Sequence, residues 1–151
     1  MEVVAHIMEY SGERILTNLH LRNYLNSDYD EYKRVYNECF SEMRTALQCF
    51  PIDCCDSKEN LKKRSKNIFI LEIDGSLVGS VAVYGNEIDD LIVAKEFQRM
   101  GYGETLLRHA VSHMQSSDIS PIVLHVADWN QGAIKVYLKN GFSIVKTEVV
   151  Q

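Results

Sequence analysis

Proline is almost missing: Pro51 and Pro121 are the only two in 151 residues. No repeat, low-complexity tract or linker interrupts the chain, so residues 1–151 are expected to form a single domain. That length buries one sizeable core without disulfide staples. Long apolar runs are missing too, which excludes a bilayer-crossing helix. The opening "MEVVAHIMEY" lacks a basic segment followed by an apolar core, so no export signal is expected and the protein is read as cytoplasmic. Positive charge is in short supply: 16 Lys and Arg against 21 Asp and Glu give a net charge of −5. That balance argues against a nucleic-acid partner, whose phosphates call for clustered cations. The one basic cluster, Lys62 to Lys66, has no interleaved aromatic and reads as a solvated helix end. Cys39, Cys49, Cys54 and Cys55 share one segment, with neither zinc-ligand spacing nor a histidine close by. Free or buried thiols are expected there, and no metal.

What is present divides into recognisable elements. "RILTNLHLRNYL" reads as a strand entering a helix capped near Ser27 and Asp28, with acids in its first turn. A second helix is expected from Asp56, with Glu59 completing a capping box. "NIFILEI" and "LVGSVAVYG" are β-rich runs joined by Asp74-Gly75, a hairpin signal, and "EIDDLIV" follows through Gly85-Asn86. Leu106, Leu107, Ala110, Val111 and Met114 recur at three- and four-residue intervals, marking one buried helix face. "PIVLHVA" is another strand. A last helix carries Ala133, Ile134, Tyr137 and Leu138, Gly141 ends it, and "FSIVKTEVV" is the final strand. Alternating strands and helices in the second half predict an α/β fold, a mixed central sheet flanked by helices, with short right-handed crossovers between parallel neighbours.

Gly101 and Gly103 stand where the long helix begins. A helix amino terminus exposes N–H groups and partial positive charge, and glycines let an anionic phosphate approach them. Thr105 adds a hydroxyl in the first turn. A tight turn without a ligand explains the same residues. A dinucleotide fingerprint needs a third glycine where Leu106 stands, and no Gly-Lys-Ser/Thr run exists for a P-loop.

"QRMGYG", Gln98 to Gly103, resembles the Gln/Arg-x-x-Gly-x-Gly/Ala signature of the GNAT superfamily of N-acetyltransferases, and it follows the strand "LIV" as that signature requires. "NQGAIKVYLKNGF", Asn130 to Phe142, is similar to the Asn-Ala-Tyr-Gly-Phe pattern of the family's last helix. The resemblance covers roughly residues 14 to 150, and it implies an acyl-CoA N-acyltransferase fold. The implied activity transfers acetyl from acetyl-CoA, as cosubstrate, to a primary amine, with no metal required.

Carried onto this chain, the resemblance implies that the coenzyme's pyrophosphate lies on backbone amides of Gln98, Arg99, Met100, Gly101, Tyr102, Gly103 and Glu104, with Thr105 in the same turn. The pantetheine arm would lie along Leu91, Ile92 and Val93 like an added strand, beside a family bulge that splays the strand edge. A neutral amine would attack the thioester carbonyl. Because an alkyl ammonium has a pKa of roughly 10, a base or a water chain must first remove a proton. Glu87, Asp89, Asp90 and His125 stand as candidates, and Glu87 is the preferred base. Glu87 matches the base of the histone-acetylating branch, and His125 falls where the ribosomal-protein-acetylating branch has a glutamate. Tyr137 would protonate the departing thiolate, although its spacing alone fits a core residue. Asn130 would meet the pantetheine or an ordered water, or simply cap the helix after it.

Two departures from the family pattern stand out. Most members carry two strands after the last helix, and this sequence has one, while "MEVVAHIMEY" supplies an extra amino-terminal strand. That strand is expected to fill the vacant edge, within the chain or across a homodimer. The acceptor stays open between a small cationic amine and a protein amino group, and the acidic residues near the cleft suit a cation. The alternative reading is a non-catalytic acyl-CoA-binding module of the same fold.

Overall fold

Strands that are covered on both faces read as unbroken apolar runs, and "LVGSVAV" is such a run. In the computed structural model, which describes residues 2–150, it forms the centre of a mixed sheet. The strands are β1 (Val3–Tyr10), β2 (Arg22–Asn23), β3 (Ile68–Ile73), β4 (Ser76–Tyr84), β5 (Glu87–Val93), β6 (Val123–Ala127) and β7 (Phe142–Val150). Their order is β2-β3-β4-β5-β6-β1-β7. The helices are α1 (Tyr29–Ala46), α2 (Lys58–Lys63), α3 (Tyr102–Ser116) and α4 (Gln131–Lys139). This mixed sheet flanked by helices is the expected fold class.

Each sheet face has its own core. One gathers Leu106, Leu107, Ala110, Val111 and Met114 of α3 with Ile134 of α4 against Val81, Ile88 and Leu124. The other packs Tyr32 and Val35 of α1 and Leu61 of α2 on Ile70, Ala82 and Ile92. The β3–β4 hairpin closes through Asp74 and Gly75, with φ of 51° and 79°, the two positive values a type I′ turn requires.

Several expectations need correction. Of "RILTNLHLRNYL", only Arg22–Asn23 is strand. Its apolar residues do not alternate in burial: Ile15 and Leu21 are buried, whereas Leu16 is open to solvent. Helix α1 starts at Tyr29 without a side-chain cap, because the Asp28 carboxylate accepts two hydrogen bonds from Arg22 (2.8 Å each) and one from the Leu25 N–H (2.7 Å). Helix α2 is capped by Ser57, which accepts from the Asn60 N–H at 3.2 Å, and not by an Asp56–Glu59 box. Asp56 instead takes Arg64 (2.6 Å) and the Asn60 amide (2.9 Å). Among the described residues only β5 and β6 are parallel neighbours, since β1 lies between β6 and β7 and runs antiparallel to both.

The amino-terminal strand thus fills its place within the chain, but in an internal slot, and β7 is the edge. His6 fastens the arrangement. Its Nδ1 lies 2.9 Å from the Thr147 hydroxyl on β7 and its Nε2 2.7 Å from Asp128, just after β6. Met8, with no exposed surface, anchors the same strand in the α3–α4 core. Truncating it leaves a cavity beneath three strands, so Met8→Ala is expected to cost about 3 kcal/mol in urea unfolding. A loss below about 1 kcal/mol would mean that the core closes without β1.

Candidate active site

The sheet comes apart where β5 meets β6. Their pairing is confined to Glu87 with Val123 and Ile88 with Leu124. The cause lies in β5 itself: Ser80 and Ala82 of β4 face Ile92 and Asp89, so two steps of β4 match three of β5. The extra residue is a β-bulge, with Asp90 at φ 49° and its N–H held by the Asp89 carboxylate at 2.8 Å. A bulge bends its strand and ends pairing, which leaves the far half of β5 with an open edge toward β6.

Into that opening runs a cavity of about 320 Å³, walled by Leu91 and Val93 of β5, the loop before α3, and Ala133, Val136 and Tyr137 of α4. The loop is held from below, where the Gln98 side chain donates to the Val93 carbonyl at 3.0 Å. Gly101 is the N-cap of α3 at φ 85°, a left-handed conformation that a Cβ strains, and it provides no capping side chain. First-turn N–H groups at Tyr102, Gly103 and Glu104 are therefore left without a side-chain acceptor, on residues that line the cavity. Gly103 has room to spare. A Cβ there would meet only Val93 Cγ2, at 3.8 Å, so packing does not demand the glycine.

The other expected contact residues divide between the cavity wall and contacts within the fold. The Thr105 hydroxyl donates to the Gly101 carbonyl at 3.0 Å, within the helix. Met100 is 64% exposed and outside the cavity wall, while Arg99 lines it at φ 66°. The Ile92 side chain points to the opposite core, so only its main chain faces the split. Asn130 caps α4, its Oδ1 accepting from the Ala133 N–H at 3.2 Å, and also lines the cavity.

Tyr137, Leu91 and Asn130 are shared with a second cavity of about 150 Å³, which Asp89, Asp90 and His125 also line. Tyr137 thus stands at the junction. Burial, with a smaller contribution from the Asp89 charge, pushes its phenol up to about 12, so it holds its proton at neutral pH. Glu87 and His125, candidates for one task in the sequence, are joined here: His125 Nδ1 lies 2.5 Å from Glu87 Oε1 across the parallel strands. His125 faces the small cavity, and Glu87 is not in its wall.

Asp90 is pushed up to about 6, first by burial and then by Asp89, although the Tyr36 hydroxyl donates to it at 3.3 Å. Tyr36, with Tyr32 on the same helix, was not singled out from the sequence. The available signal was tyrosine at 29, 32 and 36, a helical spacing that reads equally well as core. The folded state binds the Asp90 proton more tightly than the unfolded chain, whose carboxyl has its ordinary value of 3.8. Stability from this group is full below that value and is lost as pH rises through about 6. Discounted for solvent on its open side, the cost at neutral pH is about 1–2 kcal/mol. Urea unfolding should therefore find Asp90→Asn more stable than wild type by that amount near neutrality, with the difference gone in acid. The same difference at both pH values would place the carboxylate in water.

Three comparisons bear on this geometry. Residues 19–142 match the family described as "Acetyltransferase (GNAT) family". Streptothricin acetyltransferase A of Bacillus subtilis (strain 168) is 25% identical over 89 residues, 56% of this chain and 51% of that protein, so the match spans about half the relative's length. Among solved structures, a GNAT-family protein from Novosphingobium aromaticivorans superposes with a TM-score of 0.72 at 17% identity, covering 99% of this chain and 63% of that one. A Salmonella typhimurium protein solved with its cofactor acetyl-CoA gives 0.65 at 16% identity, over 86% of this chain and 82% of its own. Those two likenesses speak for the fold. With the family match running from before β2 to the start of β7, the chain belongs to the acetyltransferase (GNAT) family.

Proposed function

We propose that the protein is an N-acetyltransferase that moves acetyl from acetyl-CoA to a primary amine. The observation that carries this reading is one continuous passage: uncapped helix amides and a glycine loop at one end, an unpaired strand edge along it, and a protonated tyrosine at its junction with a second, acid-lined cavity. Each part suits one part of the substrate. The amides of Gly101 to Glu104 offer donors and a helix dipole to the pyrophosphate. The open edge at Leu91–Val93 offers main-chain partners to the pantetheine amides, as an added strand would find them.

The acceptor nitrogen enters from the cavity lined by Asp89, Asp90 and His125, gives up a proton, and attacks the thioester carbonyl carbon. Of the four candidate bases, His125 fits best: its imidazole faces that cavity, and Glu87 holds Nδ1 from behind, so Nε2 is the nitrogen presented. Glu87, the base preferred from the sequence, then acts through His125 and not on the amine. The tetrahedral oxyanion collapses, the C–S bond breaks, and the thiolate takes the proton that burial keeps on Tyr137.

Tyr137→Phe is expected to lower kcat by about 100-fold, with acetyl-CoA affinity within about twofold of wild type by calorimetry. Unchanged turnover would remove the tyrosine from the reaction. Gly103→Val tests the other end. Its branches would fill the approach to the α3 amides, and acetyl-CoA binding should weaken at least about tenfold, about 1.4 kcal/mol, while circular dichroism stays as in wild type. A folded variant with wild-type affinity would return the glycine to a turn.

A further inference from the structure

On the far side of the bulge from the coenzyme cleft lies a third cavity, of about 520 Å³. It shares Asp89 and Asp90 with the small reacting cavity, so the three form a series through the split sheet. Resting on the acetyl-transfer reading, we infer that the acceptor is a diammonium compound: one amino group is acetylated beside Tyr137, and a second, protonated one sits among Asp53, Asp56, Asp89 and Asp90 against the Tyr32 hydroxyl.

Charge is the first argument. Among the described residues, four carboxylates line this cavity and Arg64 is the single cation in its wall, tied to Asp56 at 2.6 Å. Among the described residues, Asp53, Asp89 and Asp90 have no ion-pair partner within 4.0 Å. Lining a concavity with uncompensated like charge is costly, and an arriving cation removes that cost.

Tyr32 is the second and independent argument. It is only 1% exposed, it lines the same cavity, and among the described residues its hydroxyl has no hydrogen-bond partner. A buried hydroxyl left unsatisfied is destabilising, and native structures seldom leave one without a ligand or water to meet it. Burial, together with the Asp90 charge, raises its pKa far above the ordinary phenol value, so it remains a neutral oxygen able to accept from an ammonium N–H. Tyr36 stacks on Tyr32 at 6.0 Å between centroids and adds a second ring to the wall, a surface that favours a cation over its face. A monoamine long enough to react would leave all of this unmet.

The test compares diaminobutane with butylamine, which differ by the second nitrogen alone. With saturating acetyl-CoA, kcat/KM for diaminobutane should exceed that for butylamine at least tenfold. In Asp53→Asn, an exposed position chosen to spare folding, that ratio should fall toward one. Calorimetry of diaminobutane with the protein free of coenzyme should give binding that Asp53→Asn weakens about tenfold. Equal use of both amines, or a ratio that Asp53→Asn leaves intact, overturns the diammonium inference and leaves acetyl transfer standing. Binding of acetyl-CoA with no amine acetylated overturns acetyl transfer instead; the calorimetric result then decides the cavity, absence of diamine binding sinking it.

Discussion

One extra residue in β5 governs the rest of the structure. Without the bulge at Asp89 and Asp90, β5 and β6 would pair along their whole length, the Leu91–Val93 edge would be consumed by hydrogen bonds, and no cavity would reach Tyr137. The bulge also turns two carboxylates into the space on the α1 side and holds one in the left-handed region. A strand irregularity is tolerated there because the flanking residues are well buried: Ile88 and Ile92, one on each face, pin β5 to both cores. The split is therefore framed on both sides by a well-packed sheet.

The two sides of the split present different chemistry. Toward α3 the surface is main chain: uncapped amides, an open strand edge, and glycines whose lack of a side chain is their contribution. Toward α1 the surface is side chain: four aspartates, two tyrosines, an arginine and a histidine paired with a glutamate. Backbone recognition depends on fold geometry and is indifferent to most substitutions, whereas the acidic side changes with single residues. Tyr137 belongs to the boundary, and its environment is set from both sides, by α4 packing and by the Asp89 charge.

How much of this was legible in the sequence follows from the range of the interactions involved. The Asp74-Gly75 hairpin, the apolar face of α3 and the glycine turn at Gly101 are local signals, decided by residues within a few positions of one another, and each stands where expected. The Glu87–His125 pair needed the parallel register of β5 and β6, which joins residues 38 apart. The acidic cavity needed α1, the Pro51–Ser57 segment and the bulge at once. Asp28 and Asp56 misled for a related reason. Each has the composition of a cap, but an arginine six or eight residues away, beyond the reach of a capping pattern, claims its carboxylate.

The position of β1 is the largest long-range feature, and it bears on the site. Strands β6 and β7 are joined through α4, which carries Tyr137, so the spacing between them sets where that helix can lie. Inserting β1 between them holds them two strand spacings apart, roughly 9–10 Å, and α4 spans that gap with Ile134 in the core. Residues at the amino terminus thus determine the placement of a tyrosine more than a hundred positions away. His6 makes the coupling concrete, because Asp128 and Thr147, its two partners, bracket α4 on either side in the chain. A strand that looks like an appendage in the sequence is the support on which the Tyr137 side of the cleft is built.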